Sequence, residues 1–212
     1  MKKLKKRLFI VFEGPEGAGK STQARLLYKH LRNKGYDVIL TREPGGTKVA
    51  EAVRKIILSP KMKIFPMTEL LLYEAARAQH IEEVIKPSLQ KNKIVISDRF
   101  ADASVVYQGY ARGLGTKFVE KLNKLVVCGY LPDITFVLDI LPEEGLRRIK
   151  LNRKASFDRL EQENIKFHTK IREGYLNLAK KRKNFYIINV GNKSSQQVHS
   201  LIYSILNKKF NL

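Results

Sequence analysis

Leu8-Phe-Ile-Val-Phe12-Glu13-Gly14-Pro-Glu-Gly-Ala-Gly19-Lys20-Ser21-Thr22 is the stretch that decides the fold. Its first half, Leu8–Phe12, is a short run of apolar residues without alternation, the pattern of a strand buried on both faces. Its second half fits G-x-x-x-x-G-K-[ST]. Behind it Ala24, Leu27 and Leu31 recur at three- and four-residue spacings, one face of a helix. A strand, a glycine-rich turn and a helix N-terminus in that order form a phosphate-binding loop (P-loop). Its glycines let successive backbone N–H groups turn toward phosphate oxygens, and the helix dipole adds positive charge there. The loop residues are Gly14, Pro15, Glu16, Gly17, Ala18, Gly19, Lys20, Ser21 and Thr22. Lys20 is expected to bridge the outer phosphates of a nucleoside triphosphate, with the Ser21 hydroxyl on Mg²⁺. The competing reading is a plain glycine-rich turn, and the correct flanking strand and helix weigh against it.

Further strands are predicted at Val38–Leu40, Ile94–Ser97, Ile134–Leu138 and Phe185–Val190. Helical patterns fall between them near 20–34, 47–58, 67–90, 115–128, 142–154, 159–182 and 195–208. Strands alternating with helices predict a parallel sheet in a three-layer α/β fold, with ligands beyond the carboxyl ends of the strands. Residues 1–212 are expected to form a single domain, since no repeat or Pro/Gly/Ser-rich linker divides them.

The chain has 212 residues, 43% of them hydrophobic, enough to bury a core without disulfides. One cysteine, Cys128, excludes an internal disulfide framework, and His30, His80, His168 and His199 offer no spaced metal-ligand pair. The basic N-terminus resembles the start of a signal peptide, but the apolar run that follows stops at Glu13. No apolar stretch approaches the ~18 residues of a membrane span. The expectation is a cytoplasmic protein. Forty-one Lys+Arg stand against 20 Asp+Glu, a formal net charge of +21. Such a surplus fits nucleic acid, acidic membrane or anionic small substrates. The lysines are spread along the whole chain and no basic stripe interleaved with aromatics appears, so no specific nucleic acid is expected.

Ile94-Val-Ile-Ser97 runs into Asp98-Arg99, where a carboxylate is well placed to hold a metal ion's hydration shell. Asp139 closes another strand, so position alone leaves the two acids equivalent.

Beyond the P-loop, FEGPEGAGKST at 12–22, TREPGGT at 41–47, EAARAQ at 74–79, SDRF at 97–100, YQGYARG at 107–113, PD at 132–133 and DRLEQE at 158–163 follow one another in a fixed order. In this the chain resembles the bacterial-type thymidylate kinases, over essentially its whole length. The resemblance implies a P-loop NTPase fold with a five-stranded parallel sheet in order 2-3-1-4-5, a small helical lid at about 147–159, and a homodimer. It implies ATP and dTMP as substrates, Mg²⁺ as cofactor, and direct in-line transfer to dTDP. For the acceptor it implies a wall of Glu43, Pro44, Arg54, Tyr73, Arg77, Arg99, Ser104, Tyr107 and Gln108. Tyr73 is expected to stack on the base, Arg77 to reach a base carbonyl, and Tyr107 to crowd a ribose 2′-hydroxyl. Lys20, Arg99, Asp98 and Glu13 are expected at the reaction centre, with Ser21 and Asp98 on the metal. The chain departs from common members at Phe100, where tyrosine or histidine often stands, and at Tyr73, often phenylalanine.

The P-loop positions Pro15, Glu16, Gly17 and Ala18 carry no cation, so charge for the migrating phosphoryl group is expected from Arg153 in the lid, with Arg159 second. The readings left open are a kinase of another nucleoside monophosphate, such as dUMP, and an ATP-switched nucleic-acid-binding P-loop protein.

Overall fold

The computed structural model describes residues 7–152 and 157–212. Five strands, β1 (Leu8–Glu13), β2 (Val38–Arg42), β3 (Ile94–Asp98), β4 (Ile134–Asp139) and β5 (Phe185–Asn189), form one sheet in the order β2-β3-β1-β4-β5. Every neighbouring pair is parallel, with Leu8 opposite Ile94 and Ile10 opposite Ile134. Strand order and fold class agree with the sequence expectation.

The unbroken apolar run of β1 has a simple cause. Leu8, Ile10 and Phe12 point to one face, where they pack with Leu27 and Leu31 of α1 (Lys20–Asn33) and with Ile202 and Leu206 near the C-terminus. Phe9 and Val11 point to the other face, against Ile81, Ile85 and Leu89. Both faces are covered, so alternation has no reason to appear. Leu27 and Leu31 are fully buried, each contributing ~1.5–3 kcal/mol by removal from water.

The helices are α2 (Lys48–Leu58), α3 (Pro66–His80), α4 (Lys86–Gln90), α5 (Ala101–Ser104), α6 (Thr116–Val127), α7 (Pro142–Asn152), α8 (Ile165–Lys181) and α9 (Ser195–Phe210). Thr47 caps α2 by accepting from the Ala50 N–H at 3.1 Å, and Ser194 and Gln197 form a capping box on α9.

Three expectations change. The single helix expected at 67–90 is interrupted by a π turn at Ile81–Ile85 ahead of Pro87, which has no N–H to give to the ladder. The helix expected from 159 starts at Ile165. Before it, the Asp158 carboxylate accepts from the N–H groups of Leu160 and Glu161, both at 3.0 Å, and folds 158–163 into turns. A helical segment not anticipated at all, α5 continuing as a π turn over Val105–Ala111, follows β3. The end of the helix expected at 142–154 lies outside the described residues.

Candidate active site

Strand order reverses around β1, whose neighbours lead to β2 on one side and β5 on the other, and the loops after β1, β2 and β3 meet there. They enclose one cleft of about 1130 Å³, lined by P-loop residues from Glu16 to Thr22, by Glu43, Pro44 and Arg54, by Asp98 and Arg99, and by Tyr73, Ser104, Tyr107 and Gln108. Small-molecule pockets are typically ~300–1,000 Å³, so this cleft has room for more than one small ligand.

The P-loop wraps over the end of the sheet at close range. Gly14 has φ +136°, and a Cβ there would lie 2.3 Å from the Leu138 carbonyl oxygen. Gly17 has φ +71°, and its Cβ would lie 2.0 Å from the carbonyl oxygen of Gly145. Gly145 sits in the first turn of α7, and its own Cβ would lie 2.2 Å from the Glu16 carbonyl. Loop and helix therefore touch backbone to backbone, which only glycine on both sides allows.

Lys20 is buried, its ammonium donating to the Pro15 carbonyl at 2.7 Å across the loop. Burial, and then the neighbouring Arg99, bring its pKa down from the usual lysine range to about 8. The Ser21 hydroxyl donates to the Asp98 carboxylate. These are hard oxygen donors that suit Mg²⁺, and among the described residues no cluster of three His, Cys, Asp or Glu forms a protein cage. A hydroxyl and a carboxylate at a phosphate-binding loop fit a magnesium ion that takes its remaining ligands from phosphates and water.

Arg99 is the hinge between the two ends of the cleft. Its φ of 71° is costly for a side chain with a Cβ. The strain is held by its N–H on the Phe12 carbonyl (2.9 Å) and by the Ser97 hydroxyl on its own carbonyl (2.7 Å). The guanidinium donates to the Gly14 carbonyl at 3.2 Å, to Tyr175 Oη at 3.0 Å, to Tyr107 Oη at 2.9 Å and to both Glu16 carboxylate oxygens at 2.9 and 2.8 Å. Burial pushes the Glu16 carboxyl up, but Arg99, then Lys20 and the Tyr107 hydroxyl bond, outweigh it and hold Glu16 at about 2. Glu13 is fully buried and accepts from the Phe100 N–H at 2.8 Å and from Tyr175 Oη at 2.7 Å. Burial dominates there and raises its carboxyl to about 7.

The remaining residues expected from the sequence divide into two groups. Tyr73, Ser104, Tyr107, Gln108, Glu43, Pro44 and Arg54 come together on the wall beyond Arg99, and Arg54 donates to the Pro44 carbonyl at 2.9 Å. Arg77 sits behind that wall. Its donors go to Glu43 (2.8 Å), Glu74, Asn123 (3.1 Å), the Phe100 carbonyl (3.4 Å) and Ser104 Oγ (3.0 Å). It braces Glu43 and Ser104, which do line the cleft. Glu13 likewise lies behind the cleft lining, under Arg99. Among the lid cations, Arg153 lies outside the described residues. Arg159 is committed to Glu69 and to the Ile57 carbonyl at 2.8 Å, and Arg147 to Glu144. Arg148, one position on, lines the cleft and donates to the Gly191 carbonyl at 2.6 Å.

Sequence reasoning missed Tyr175, Gly145 and Glu69. Tyr175 and Glu69 leave one signal each, a polar group on an otherwise core-facing helix position; Gly145 is an unexplained glycine inside a helix.

The comparisons with known proteins agree with this geometry. The thymidylate kinase family model matches residues 12–202. A thymidylate kinase of Caldanaerobacter subterraneus subsp. tengcongensis is 50% identical over 194 residues, covering 92% of each chain. One from Thermoanaerobacter sp. (strain X514) is 46% identical over 200 residues, covering 94% of this chain and 97% of that one. The crystal structure of thymidylate kinase from Ehrlichia chaffeensis superposes with a TM-score of 0.78 at 34% identity, covering 95% of this chain and 99% of that one. With the P-loop, the Asp98-Arg99 corner and the wall of Tyr73, Ser104, Tyr107 and Gln108 arranged around one cleft, the chain belongs to the thymidylate kinase family.

Proposed function

We propose that the chain transfers the γ-phosphoryl group of ATP to dTMP, giving ADP and dTDP, by direct in-line displacement with Mg²⁺. The observation that carries this reading is one continuous cleft with a P-loop at one end, an aromatic and amide wall at the other, and Arg99 between them. The acceptor phosphate is already anionic, so no general base is required; orientation and charge stabilisation supply the rate. The loop from Gly14 to Thr22 would cradle the donor phosphates, with Lys20 on the outer ones. Arg99 would face the donor–acceptor junction, a rigid fork suited to phosphate oxygens. Tyr73 supplies a flat ring for a pyrimidine face, and Tyr107 a ring beside the sugar. Ser21 and Asp98 would hold Mg²⁺, which when bound offsets phosphate charge. The lid stretch from Arg147 to Arg159, with Arg153 as the proposed cation, would complete the charge balance.

The test is a coupled ADP-release assay with ATP, Mg²⁺ and dTMP. ADP release that depends on dTMP and stops on chelation is expected; dTMP-independent release would overturn the reading. A chiral thiophosphate donor should give inversion at phosphorus, and retention would require a covalent intermediate.

The resemblance also supports a homodimer. Helices α2 and α3 pack together and carry the exposed apolar residues Val49, Ile56, Met67 and Leu71, a surface suited to a second copy. Among the described residues no helix is long and apolar enough to cross a membrane.

The lowered pKa of Lys20 gives a pH prediction. In the free enzyme the ammonium is lost as pH rises through about 8, whereas bound triphosphate favours the charged form. Because kcat/KM reports free-enzyme groups and kcat those of the complex, kcat/KM for ATP should decline above about pH 8 while kcat declines only at higher pH. A pH profile from about pH 7 to about pH 9.5 checks this; parallel declines of both would contradict it.

A further inference from the structure

Glu69 is fully buried on α3, one helical turn before Tyr73, and it lies behind the wall assigned to the base. Its two carboxylate oxygens receive three side chains. Gln108 Nε2 donates to Oε1 at 2.7 Å. Arg112 donates through Nε to Oε1 and through Nη2 to Oε2, both at 3.3 Å. Arg159 Nη2 donates to Oε2 at 2.5 Å. Arg112 also pairs with Glu163 at 2.6 Å, so two arginines meet two acids.

Arg112 and Arg159 both pair with Glu69, and a carboxylate in such ion pairs offers its neighbours acceptor oxygens only. The Gln108 amide must then present its NH₂ to Glu69. The opposite corner of the amide, Oε1, receives no hydrogen bond from any described residue, and Gln108 lines the cleft beside Ser104 and Tyr107. An amide free to rotate could show either a donor or an acceptor; this one is locked.

We propose that Glu69 is a positioning residue for acceptor selection: by holding Gln108 Nε2 it fixes Oε1 as a hydrogen-bond acceptor toward the base, which favours a pyrimidine carrying an imide N–H over one with a bare ring nitrogen. Thymine has that N–H at N3, and cytosine has a lone pair there. The proposal rests on the reading of this wall as the base site of a dTMP kinase.

Glu69→Gln turns the lock over. The new side chain has one carbonyl oxygen, which two arginines claim, and its NH₂ then faces Gln108. Gln108 must flip to accept with Oε1, and its own NH₂ turns into the cleft, matching cytosine. Losing and inverting one such hydrogen bond should lower the ratio of kcat/KM for dTMP over dCMP by about 10-fold or more. A role in stability alone would lower both values together and leave the ratio unchanged.

The experiment measures kcat/KM for dTMP and dCMP in wild type, Glu69→Gln and Arg112→Gln, with a thermal melt of each. Arg112→Gln removes an ion pair but leaves the Glu69–Gln108 bond, so its ratio should stay near wild type even if its Tm falls. If Glu69→Gln proves too unstable to assay, Glu69→Asp keeps the charge for both arginines while withdrawing the oxygen from Gln108, and its ratio should fall as well. An unchanged ratio in the assayable Glu69 variant overturns the proposal, as does an equal fall in Arg112→Gln. Failure of the underlying reading would look different: wild type itself would not prefer dTMP.

Discussion

Lys20→Ala is expected to lower kcat/KM for ATP by about 10³-fold or more. Lys20 is the one cation within the loop from Gly14 to Thr22, because Pro15, Glu16, Gly17 and Ala18 contribute none. Its ammonium, already buried and donating to the Pro15 carbonyl, needs little reorganisation to meet phosphate oxygens, and in a water-poor site each such contact counts for more than in solvent. The loss should fall on both donor binding and the chemical step. The alanine variant also removes a strut across the loop, so ATP affinity measured by titration calorimetry separates the two contributions. Near-normal kcat/KM in Lys20→Ala would show that the loop is not the donor site.

Arg99→Ala should lower kcat by about 10²–10³-fold and lower Tm as well, and the two effects have different origins. Arg99 is the partly buried partner of Glu16 at 2.8 Å. Removing it takes from the Glu16 carboxylate its bidentate partner and leaves only Lys20 and the Tyr107 hydroxyl to compensate the charge, a loss below the ~3–5 kcal/mol typical of breaking a fully buried pair. The double variant Arg99→Ala/Glu16→Gln removes both charges and should recover most of the lost Tm. It should not recover kcat, because the fork proposed to face the junction between donor and acceptor is still missing. Arg99→Lys should also fall well short of wild type, since a point charge cannot reach Gly14, Tyr175, Glu16 and Tyr107 at once. Recovery of kcat together with Tm in the double variant would mean that Arg99 serves only to hold the loop.

How far the sequence reveals this site depends on the range of the physics involved. The P-loop is read at once because strand, glycines, lysine and hydroxyl are contiguous and their job is local. The strand order 2-3-1-4-5, the Asp98-Arg99 corner and the residues of the wall beyond it are legible only through several motifs in a fixed order, by resemblance to a family. Composition and periodicity alone indicate only a parallel α/β sheet. The segment Ala101–Ala111 escaped because Val105, Val106 and Gly109 disfavour helix locally, and packing against α6 and α8 overrides that preference. The false helix start at 159 had the opposite cause: DRLEQE looks helical, but the Asp158 side chain takes the amides of Leu160 and Glu161. Tyr175 and Glu69 act across 76 and 39 residues of chain respectively, and no local pattern announces such contacts. Arg77, for which the resemblance implies contact with a base carbonyl, donates in the folded chain to Glu43, Glu74, Asn123, Phe100 and Ser104, partners that no local pattern announces either.

The central claim is the identity of the acceptor, and one measurement bears on it most directly: ADP release with ATP and Mg²⁺ for dTMP, dUMP, dCMP, dAMP and dGMP, each at the same subsaturating concentration. A wall made of Tyr73, Ser104, Tyr107 and Gln108, with Gln108 locked by Glu69, predicts that dTMP is phosphorylated fastest, with dCMP and both purine nucleotides far behind. A faster rate with dGMP, dAMP or dCMP than with dTMP would contradict the account.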